Sequence, residues 1–518
     1  MRASAARLAQ APEALAVVSG ILLALSFPKF GTGIVAWPAL APLLVALGRG
    51  PDGRTAVRLG FLTGAVSSLV LVYWTSITVI QFGGLPTGVG IAAMVLLCLA
   101  LAGFPSVFAW LLAAWARAFG PAAVLAAPLA WVAVELVRAR TALHFPWCLL
   151  GYSQSTNLHV IQIARYGAVY AVSALVCGVS AVAAYVALEP RAARRRRAVL
   201  AAVAAVALVY GHGAWRLGQP ENVVGQVRVG LVQASVLQGD KWDPDKAWDN
   251  IDRHVALTRQ AAAQGARLVV WPESAVPFYF DSSPPVAVQL RELVRTQRVA
   301  LLFGNDDREA GAERRVWVGA KMLDPAGRLV YRYHKVRLVP FGEYVPFQSL
   351  FTVGGRVAAK LVKQVSDFTP GDGFPVGEVD GHRLGVFICY EAIFPDVVRQ
   401  FAAGGAELLV NVTNDGWYGR TSAPHQHLAM AALRAVENGK YLVRAANTGI
   451  TAVVDTHGRI VARTELFDQT ALVRDVPWVA GTTFYARHGD LFAWACLAAT
   501  AALAAAAWKG SRSRVRAQ

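Results

Sequence analysis

The sequence predicts a bundle of eight membrane-spanning α-helices that carries an α/β domain outside the membrane. Of its 518 residues, 55% are hydrophobic and 16% are charged, whereas a typical soluble protein has about 25% charged residues. The longest apolar stretches lie near the two ends of the chain. Between them, residues 220–488 alternate strand-like and helix-like stretches, which is typical of a layered α/β domain.

A helix that crosses a bilayer needs about 20 mostly apolar residues. Segments of roughly this kind lie at 12–28, 32–48, 57–80, 86–114, 118–138, 161–188, 198–215 and 490–508. We therefore predict three parts. They are a transmembrane region with seven helices over 1–219, an outer domain over 220–488, and a C-terminal transmembrane helix with a basic tail over 489–518.

The distribution of charge predicts how the spans are oriented. The net charge is +17, but residues 220–488 hold 30 Lys or Arg against 28 Asp or Glu. The excess belongs to the apolar ends, which argues against a folded basic surface for nucleic acid. With the N-terminus inside, 15 of the 20 basic residues in the two apolar regions lie on the cytoplasmic side, as the positive-inside rule requires. With eight spans, this places the α/β domain on the outer side of the membrane, which in a bacterium is the periplasmic face of the inner membrane.

Local patterns place strands and helices within the outer domain. We predict strands at 226–236, 266–271, 299–305, 382–391 and 406–412, and two more beside the turn at 324–327. Helices are predicted at 245–264, 286–298, 394–403 and 424–439. The stretch 338–375 lacks periodicity, and its apolar residues Phe347, Leu350 and Phe351 suggest a loop that dips into the membrane interface.

Three residues at predicted strand ends supply the groups of an acyl-transfer site. Cys389 is the only cysteine of residues 220–488, and a thiol of pKa about 8.5 needs a neighbouring base or cation to act as a nucleophile. Glu273 can take its proton, and Lys335 can stabilise an oxyanion together with a backbone N–H near Tyr390. Taken singly, they could equally be an inert buried thiol, a surface carboxylate and a solvated lysine. We predict no cofactor and no metal ion.

The motifs around these residues resemble a known family. WPES (271–274), HKVRLVPFGEYVP (334–346) and CYE (389–391) closely resemble the nitrilase superfamily. Eight spans with an outer domain, together with KWDP (241–244) and NDGWYG (414–419), resemble the bacterial apolipoprotein N-acyltransferases. The resemblance implies a nitrilase-like αββα sandwich, with Glu273, Lys335 and Cys389 as catalytic residues.

The resemblance also implies substrates and supporting residues. Cys389 would take an acyl chain from a phospholipid, typically phosphatidylethanolamine, and pass it to the N-terminal amine of diacylglyceryl-cysteine in an apolipoprotein. Glu343 and Glu391 would be supporting carboxylates, although a structural ion pair with the lysine explains them equally well. Tyr390, Trp242 and Trp417 would be pocket or loop contacts, and plain packing is the alternative for the two tryptophans. We expect a monomer.

Two other functions compete with this interpretation. A membrane-tethered amidase of the nitrilase type would use the same three residues with water as the acceptor. A transporter or a non-catalytic lipoprotein-binding scaffold would not need them. Transporters usually carry several charges at mid-membrane, whereas Glu135 is the main ionisable residue inside the predicted spans.

Overall fold

The computed structural model describes residues 11–29, 31–141, 144–309, 315–344 and 368–516, with side chains up to residue 510. Phe347, Leu350 and Phe351 lie outside the described residues. The chain divides into two compact units. The first unit comprises Met1–Gln219, Thr421–Ala429 and His488–Gln518, and the second comprises Pro220–Arg420 and Met430–Arg487. The sequence pattern carried no sign that residues 421–429 group with the apolar ends of the chain.

The first unit is helical over all of the predicted apolar segments. Its helices are Pro12–Ala24, Ala36–Ala39, Ala41–Gly48, Gly53–Leu71, Trp74–Gln81, Thr87–Phe119, Ala127–Arg140, Leu158–Ile161, Ala164–Leu188, Ala192–Leu217 and Leu491–Arg516. Their buried faces form an apolar core of leucine, alanine and aromatic side chains. The predicted class of fold, a helical membrane bundle with an α/β domain, is confirmed.

The predicted number of eight spans is not confirmed. In the described part of the chain, five helices are long and apolar enough to cross a membrane, and a sixth span results if two helices that meet at 53° count as one. The two N-terminal apolar helices are shorter. Pro12–Ala24 has 13 residues, so at 1.5 Å per residue it is roughly 20 Å long, against a hydrocarbon core of about 30 Å.

Small residues let two of these helices approach closely. A Cβ atom on Gly60 would lie 2.3 Å from the main-chain oxygen of Pro105, and one on Gly64 would lie 2.7 Å from Cα of Ala102. The two glycines are four positions apart and therefore share one face of Gly53–Leu71. This spacing is a common means of packing helices in membranes, where small side chains permit close van der Waals contact.

The second unit contains two six-stranded sheets. The strands are β1 (Val223–Gln233), β2 (Leu268–Val270), β3 (Ala300–Gly304), β4 (Asp307–Arg308), β5 (Val316–Trp317), β6 (Gly319–Leu323), β7 (Leu329–His334), β8 (Val376–Val379), β9 (His382–Ile388), β10 (Leu408–Thr413), β11 (Tyr441–Ala446), β12 (Ala452–Val454), β13 (Ile460–Arg463) and β14 (Thr470–Val479). The strand order is β14-β1-β2-β3-β6-β7 in one sheet and β13-β12-β11-β10-β9-β8 in the other.

Alternation of side chains along the strands produces the layers. In the first sheet, Val229, Leu231 and Leu302 belong to a core shared with the second sheet, whereas Val269 and Leu301 pack on the opposite face with the helices. The helices of this unit are Ala247–Ala263, Pro284–Gln297, Pro395–Ala403, Ala423–Asn438 from Met430 onward, and Phe484–His488 up to Arg487. The layers form an αββα sandwich, and the predicted elements occur with ends that differ by a few residues.

Strand direction brings the ends of several strands to the same edge. β2 runs parallel to β1 and β3, and β7 is parallel to β3 because both are antiparallel to β6. In the second sheet, β9, β10 and β11 are parallel. The residues that follow β2 and β7 therefore lie at one edge of the first sheet, and those that follow β9 and β10 lie at one edge of the second.

Candidate active site

Glu273 lies in a tight turn after β2. Its Oε2 accepts a hydrogen bond from the main-chain N–H of Asn414 at 2.9 Å, which ties it to the end of β10. The next residue, Ser274, has φ +46°, a left-handed conformation that is uncommon for residues with a side chain. Gly304, at the end of β3, accommodates this turn, since a Cβ atom there would lie 2.4 Å from the Pro272 oxygen and 2.6 Å from Cα of Glu273.

Lys335 follows β7 and joins two carboxylates. Its side chain is fully buried, and its Nζ lies 3.2 Å from Oε1 of Glu273 and 2.6 Å from Oε1 of Glu343. Burial alone would lower the pKa of Lys335, but Glu273, Glu343 and Cys389 outweigh burial, so its pKa lies well above the usual value. The ammonium is therefore charged throughout the physiological range. Glu343 is also held by the N–H of Val339, which donates to its Oε2 at 3.0 Å.

Cys389 begins the turn that ends β9. The predicted strand 382–391 stops at Ile388 because Cys389 has φ +48°, which no β-strand can include. A left-handed residue with a side chain costs on the order of 1–3 kcal/mol and often marks a functional site. Cys389 is 4% exposed, and burial together with the Glu273 charge raises the pKa of its thiol above the usual value, while Lys335 opposes this rise.

The side chain of Glu391 is fully buried and accepts hydrogen bonds from the main chain beside Lys335 and Cys389. Its Oε1 accepts from the hydroxyl of Tyr333 and from the N–H of Val336, each at 2.7 Å, and its Oε2 accepts from the N–H of Ile388 at 2.7 Å. These bonds connect the end of β7, which carries Lys335, with the end of β9, which carries Cys389. Among the described residues, Glu391 has no ion pair with the lysine at 4.0 Å or less. Its contacts favour a structural role different from that of Glu343.

The three aromatic candidates differ in exposure. Tyr390 is buried, and its ring centroid lies 5.2 Å from that of Phe394. Trp242 and Trp417 are 51% and 38% exposed, so each is partly packed and also presents apolar surface to the outside. The structure brings Glu273, Lys335 and Glu343 into direct contact, and Cys389 interacts with the first two through their charges.

Sequence reasoning missed several buried polar residues near Glu273. Lys241 is 5% exposed and its Nζ donates to the main-chain oxygen of Glu273 at 2.8 Å. Asp306 accepts from the hydroxyl of Ser274 at 3.1 Å, and burial raises the pKa of Asp306 to about 6. The motif KWDP (241–244), which contributed to the family resemblance, contained the only available signal, because a lysine in a polar loop is ordinarily exposed.

Gly304→Ala is expected to lower the rate of acyl-enzyme formation by about 10²-fold, because displacing a reacting group by ~1 Å can have that effect. The new methyl group would collide with the main chain of Pro272 and Glu273 rather than with a flexible side chain. Rapid-quench kinetics on the membrane-embedded protein measures the rate.

Gly373→Ala is the matched control, since nothing lies within 4 Å of a Cβ atom at Gly373. It should leave the rate unchanged. Equal rates for the Gly304→Ala variant and the parent would mean that the Glu273 turn tolerates displacement.

The two sheets and the strand-end cluster lie in a part of the chain that is similar to the carbon–nitrogen hydrolases. The family model described as carbon-nitrogen hydrolase matches residues 228–480. A second model, described as the apolipoprotein N-acyltransferase N-terminal domain, matches residues 19–182. The solved structure of an amidase from Nesterenkonia sp. is 24% identical, covering 50% of this chain and 92% of the amidase, with a TM-score of 0.38.

Relatives that match this chain over nearly their whole length show the family to which it belongs. The apolipoprotein N-acyltransferase of Geobacter metallireducens is 40% identical over 502 residues, which are 96% of this chain and 95% of the relative. That of Gloeobacter violaceus is 34% identical over 488 residues, which are 92% and 90% of the two chains. The chain belongs to the apolipoprotein N-acyltransferase family, and the resemblance drawn from the motifs is confirmed.

Proposed function

We propose that this protein transfers a fatty acyl chain from a phospholipid, through a thioester on Cys389, to the N-terminal amine of diacylglyceryl-cysteine in an apolipoprotein. The observation that carries this proposal is the buried cluster of Glu273, Lys335 and Glu343 beside Cys389 in a member of this family. It provides a base, a cation and a nucleophile within one domain, and together these serve acyl transfer.

In the first step the thiol proton of Cys389 moves to the carboxylate of Glu273. The sulfur attacks the ester carbonyl of the phospholipid and a C–S bond forms. The negative charge on the carbonyl oxygen is stabilised by the ammonium of Lys335 and a backbone N–H near Tyr390. When the acyl C–O bond breaks, Glu273 returns its proton to the oxygen of the departing lysophospholipid.

In the second step the amine of the apolipoprotein attacks the thioester. A C–N bond forms, Glu273 takes a proton from the amine, and the C–S bond breaks. The thiolate of Cys389 then recovers the proton from Glu273, which restores the enzyme. Glu343 keeps Lys335 in place through both steps, since it binds Nζ without needing to exchange a proton.

Features of the surface and of the spans support a lipid substrate and a position at the membrane. Loops that carry site residues expose the large apolar side chains of Leu237, Trp242, Phe341 and Trp417. The helical unit makes this a membrane protein. The distribution of basic residues supports a multi-pass topology in the inner membrane with the catalytic domain, residues 220–488, on the periplasmic face. We further propose phosphatidylethanolamine as the acyl donor and a monomeric enzyme.

Intact mass spectrometry of the full-length protein in phosphatidylethanolamine vesicles tests the reaction. The expected result is an increase in mass of one acyl chain, which a diacylated lipopeptide with a free amine removes. The Cys389→Ala variant should carry no acyl chain. Absence of the thioester would refute the proposal. If water removes the acyl chain from Cys389 as fast as the lipopeptide does, the protein is instead a membrane-tethered amidase.

A further inference from the structure

Both oxygens of the Glu273 carboxylate accept hydrogen bonds. Nζ of Lys335 donates to Oε1 at 3.2 Å, and the main-chain N–H of Asn414 donates to Oε2 at 2.9 Å. Because the same Nζ lies closer to Glu343, at 2.6 Å, the lysine does not hold Glu273 alone. A main-chain donor points where the backbone directs it. The position of the Glu273 carboxylate therefore depends on what holds the backbone of Asn414.

The side chain of Asn414 lies between two other amides. Its Nδ2 donates to Oε1 of Gln238 at 2.7 Å, and its Oδ1 accepts from Nδ2 of Asn447 at 3.1 Å. The same Oδ1 accepts from the main-chain N–H of Gly416 at 3.2 Å, and this main-chain donor determines which end of the amide is the oxygen. Asn414 and Asn447 are both buried, so these bonds form away from bulk water.

Asn447 follows β11 and binds the main chain of Val236 in the manner of a paired strand. The N–H of Val236 donates to Oδ1 of Asn447 at 3.0 Å, and Nδ2 of Asn447 donates to the oxygen of Val236 at 2.7 Å. Val236 follows β1 of the first sheet, whereas Asn447 and Asn414 follow strands of the second sheet. The side chain of Asn447 therefore links the two sheets at the edge that carries Glu273, and its other N–H extends this link to Asn414.

We propose that Asn447 is a positioning residue of the acyl-transfer site, which holds Asn414 in the orientation that directs its N–H to Oε2 of Glu273. This inference rests on the proposed function in taking Glu273 as the base that receives the proton of Cys389. It makes the action of that base depend on an amide that follows a different strand, β11.

The packing around Asn414 explains why its orientation depends on Asn447. A Cβ atom on Gly416 would lie 2.9 Å from Oδ1 of Asn414 and 3.2 Å from Oγ1 of Thr448, so the turn is closely packed on this side. Without the Asn447 side chain, Oδ1 of Asn414 would keep only the Gly416 donor. The N–H and the oxygen of Val236 would lose the partner they share. Because a buried polar group without a partner is costly, the two segments would rearrange, and the N–H of Asn414 would move with them.

The alternative is a purely structural role, in which Asn447 only joins the two sheets. Its loss would then lower stability without changing how Glu273 acts on the thiol. The two roles differ in the pH dependence of acylation. Since the pKa of Cys389 lies above its usual value, acylation without a working base should follow the thiolate fraction and rise about tenfold per pH unit. The charged groups that act on Cys389 in the described part of the chain are Glu273, Lys335, Asp415 and Lys241. Replacing Asn447 removes none of them.

The pH dependence of acylation by p-nitrophenyl butyrate tests the proposal on the full-length protein in detergent, without phospholipid or lipopeptide. Acylation of the Cys389 sulfur breaks the ester C–O bond and releases p-nitrophenolate, and the rate of Cys389→Ala is subtracted as background. In Asn447→Ala the rate near neutral pH should fall by about 10²-fold, the effect of displacing a reacting group by ~1 Å. The rate should also rise about tenfold per pH unit, as expected for Glu273→Gln, whereas the parent should depend on pH much less steeply.

Asn438→Ala is the matched control. Asn438 is fully buried, and its Nδ2 donates to the main-chain oxygen of Arg434 at 2.8 Å, but it precedes β11 and so lies at the opposite end of that strand from Asn447. It should keep the rate and the slope of the parent. The double variant Glu273→Gln with Asn447→Ala separates positioning from general damage. Because the base is already absent, the second substitution should leave the rate within about twofold.

An Asn447→Ala variant with the slope of the parent, whatever its rate, would overturn the proposal. So would equal profiles of Asn447→Ala and Asn438→Ala, or additive losses in the double variant. If Asn447→Ala does not fold, Asn414→Ala removes the acceptor of the same hydrogen bond and should show the same steep profile, and the slope of the parent there would also overturn the proposal. A parent protein that is acylated by p-nitrophenyl butyrate but forms no thioester with phospholipid would refute the proposed function and leave this inference intact.

Discussion

Replacing Lys335 with methionine is expected to lower the rate of acyl-enzyme formation by at least ~10²–10³-fold, the effect of removing one donor to an oxyanion. It should also lower the free energy of unfolding by about 3–5 kcal/mol, because it leaves buried carboxylates without their cation. Nζ of Lys335 lies 3.2 Å from Glu273 and 2.6 Å from Glu343. Stopped-flow acylation and urea unfolding in detergent measure the two effects.

The double variant Lys335→Met with Glu343→Gln separates these effects. Removing one of the two carboxylates relieves their mutual repulsion, so the double variant should recover part of the lost stability. It should not recover acylation, because the cation is still missing. Recovery of acylation in the double variant, or unchanged stability in Lys335→Met, would mean that Lys335 does not hold the two carboxylates as the distances indicate.

The positions of Glu273, Lys335 and Cys389 were predictable from sequence because each follows a strand with a clear pattern. Short hydrophobic runs that end in polar residues locate strand ends, and parallel strands place those ends at a common edge. The motifs that include them also carried the family resemblance. The catalytic roles of these residues stay predictions, which the variants proposed here test.

The environment of the site was less predictable because it depends on contacts distant in sequence. The two supporting carboxylates, Glu343 and Glu391, looked alike, yet one binds Lys335 and the other binds main-chain N–H groups. Lys241 resembled a surface residue because no local pattern reports burial under a neighbouring turn. The close approach of Gly304 to Glu273 likewise arises only when β2 and β3 pair.

The number of spans was less predictable for a related reason. Hydropathy detects apolar composition, but it does not show where the chain turns within an apolar segment. The segment 57–80 was predicted as one span, whereas the structure has Gly53–Leu71 and Trp74–Gln81 meeting at 53°. A bend of this kind depends on packing against neighbouring helices, which the composition of a single segment does not determine.

Glu273→Gln is expected to reduce the rate of acyl-enzyme formation near neutral pH by about 10²–10⁴-fold, the usual contribution of a general base. The amide oxygen of glutamine can still accept the hydrogen bond from Asn414, which keeps the turn tied to the end of β10, but its NH2 group then faces Nζ of Lys335 and that contact is lost. The pKa of Cys389 lies above its usual value because the thiol is buried near Glu273, and little thiolate forms at neutral pH without a base. In the variant, therefore, the rate should rise about tenfold per pH unit, in proportion to the thiolate fraction.

The parent should depend on pH much less steeply than this variant, because Glu273 removes the proton during the attack. Rapid-quench mass spectrometry over a series of pH values gives both slopes. Glu378→Gln, which changes an exposed glutamate of β8, is the matched control and should follow the parent. A Glu273→Gln variant with the same slope as the parent, whatever its rate, would show that Glu273 does not take the thiol proton. Its bonds to Lys335 and Asn414 would then make it a structural partner of the lysine, and the base would have to be sought in Glu343, the other carboxylate that Lys335 binds.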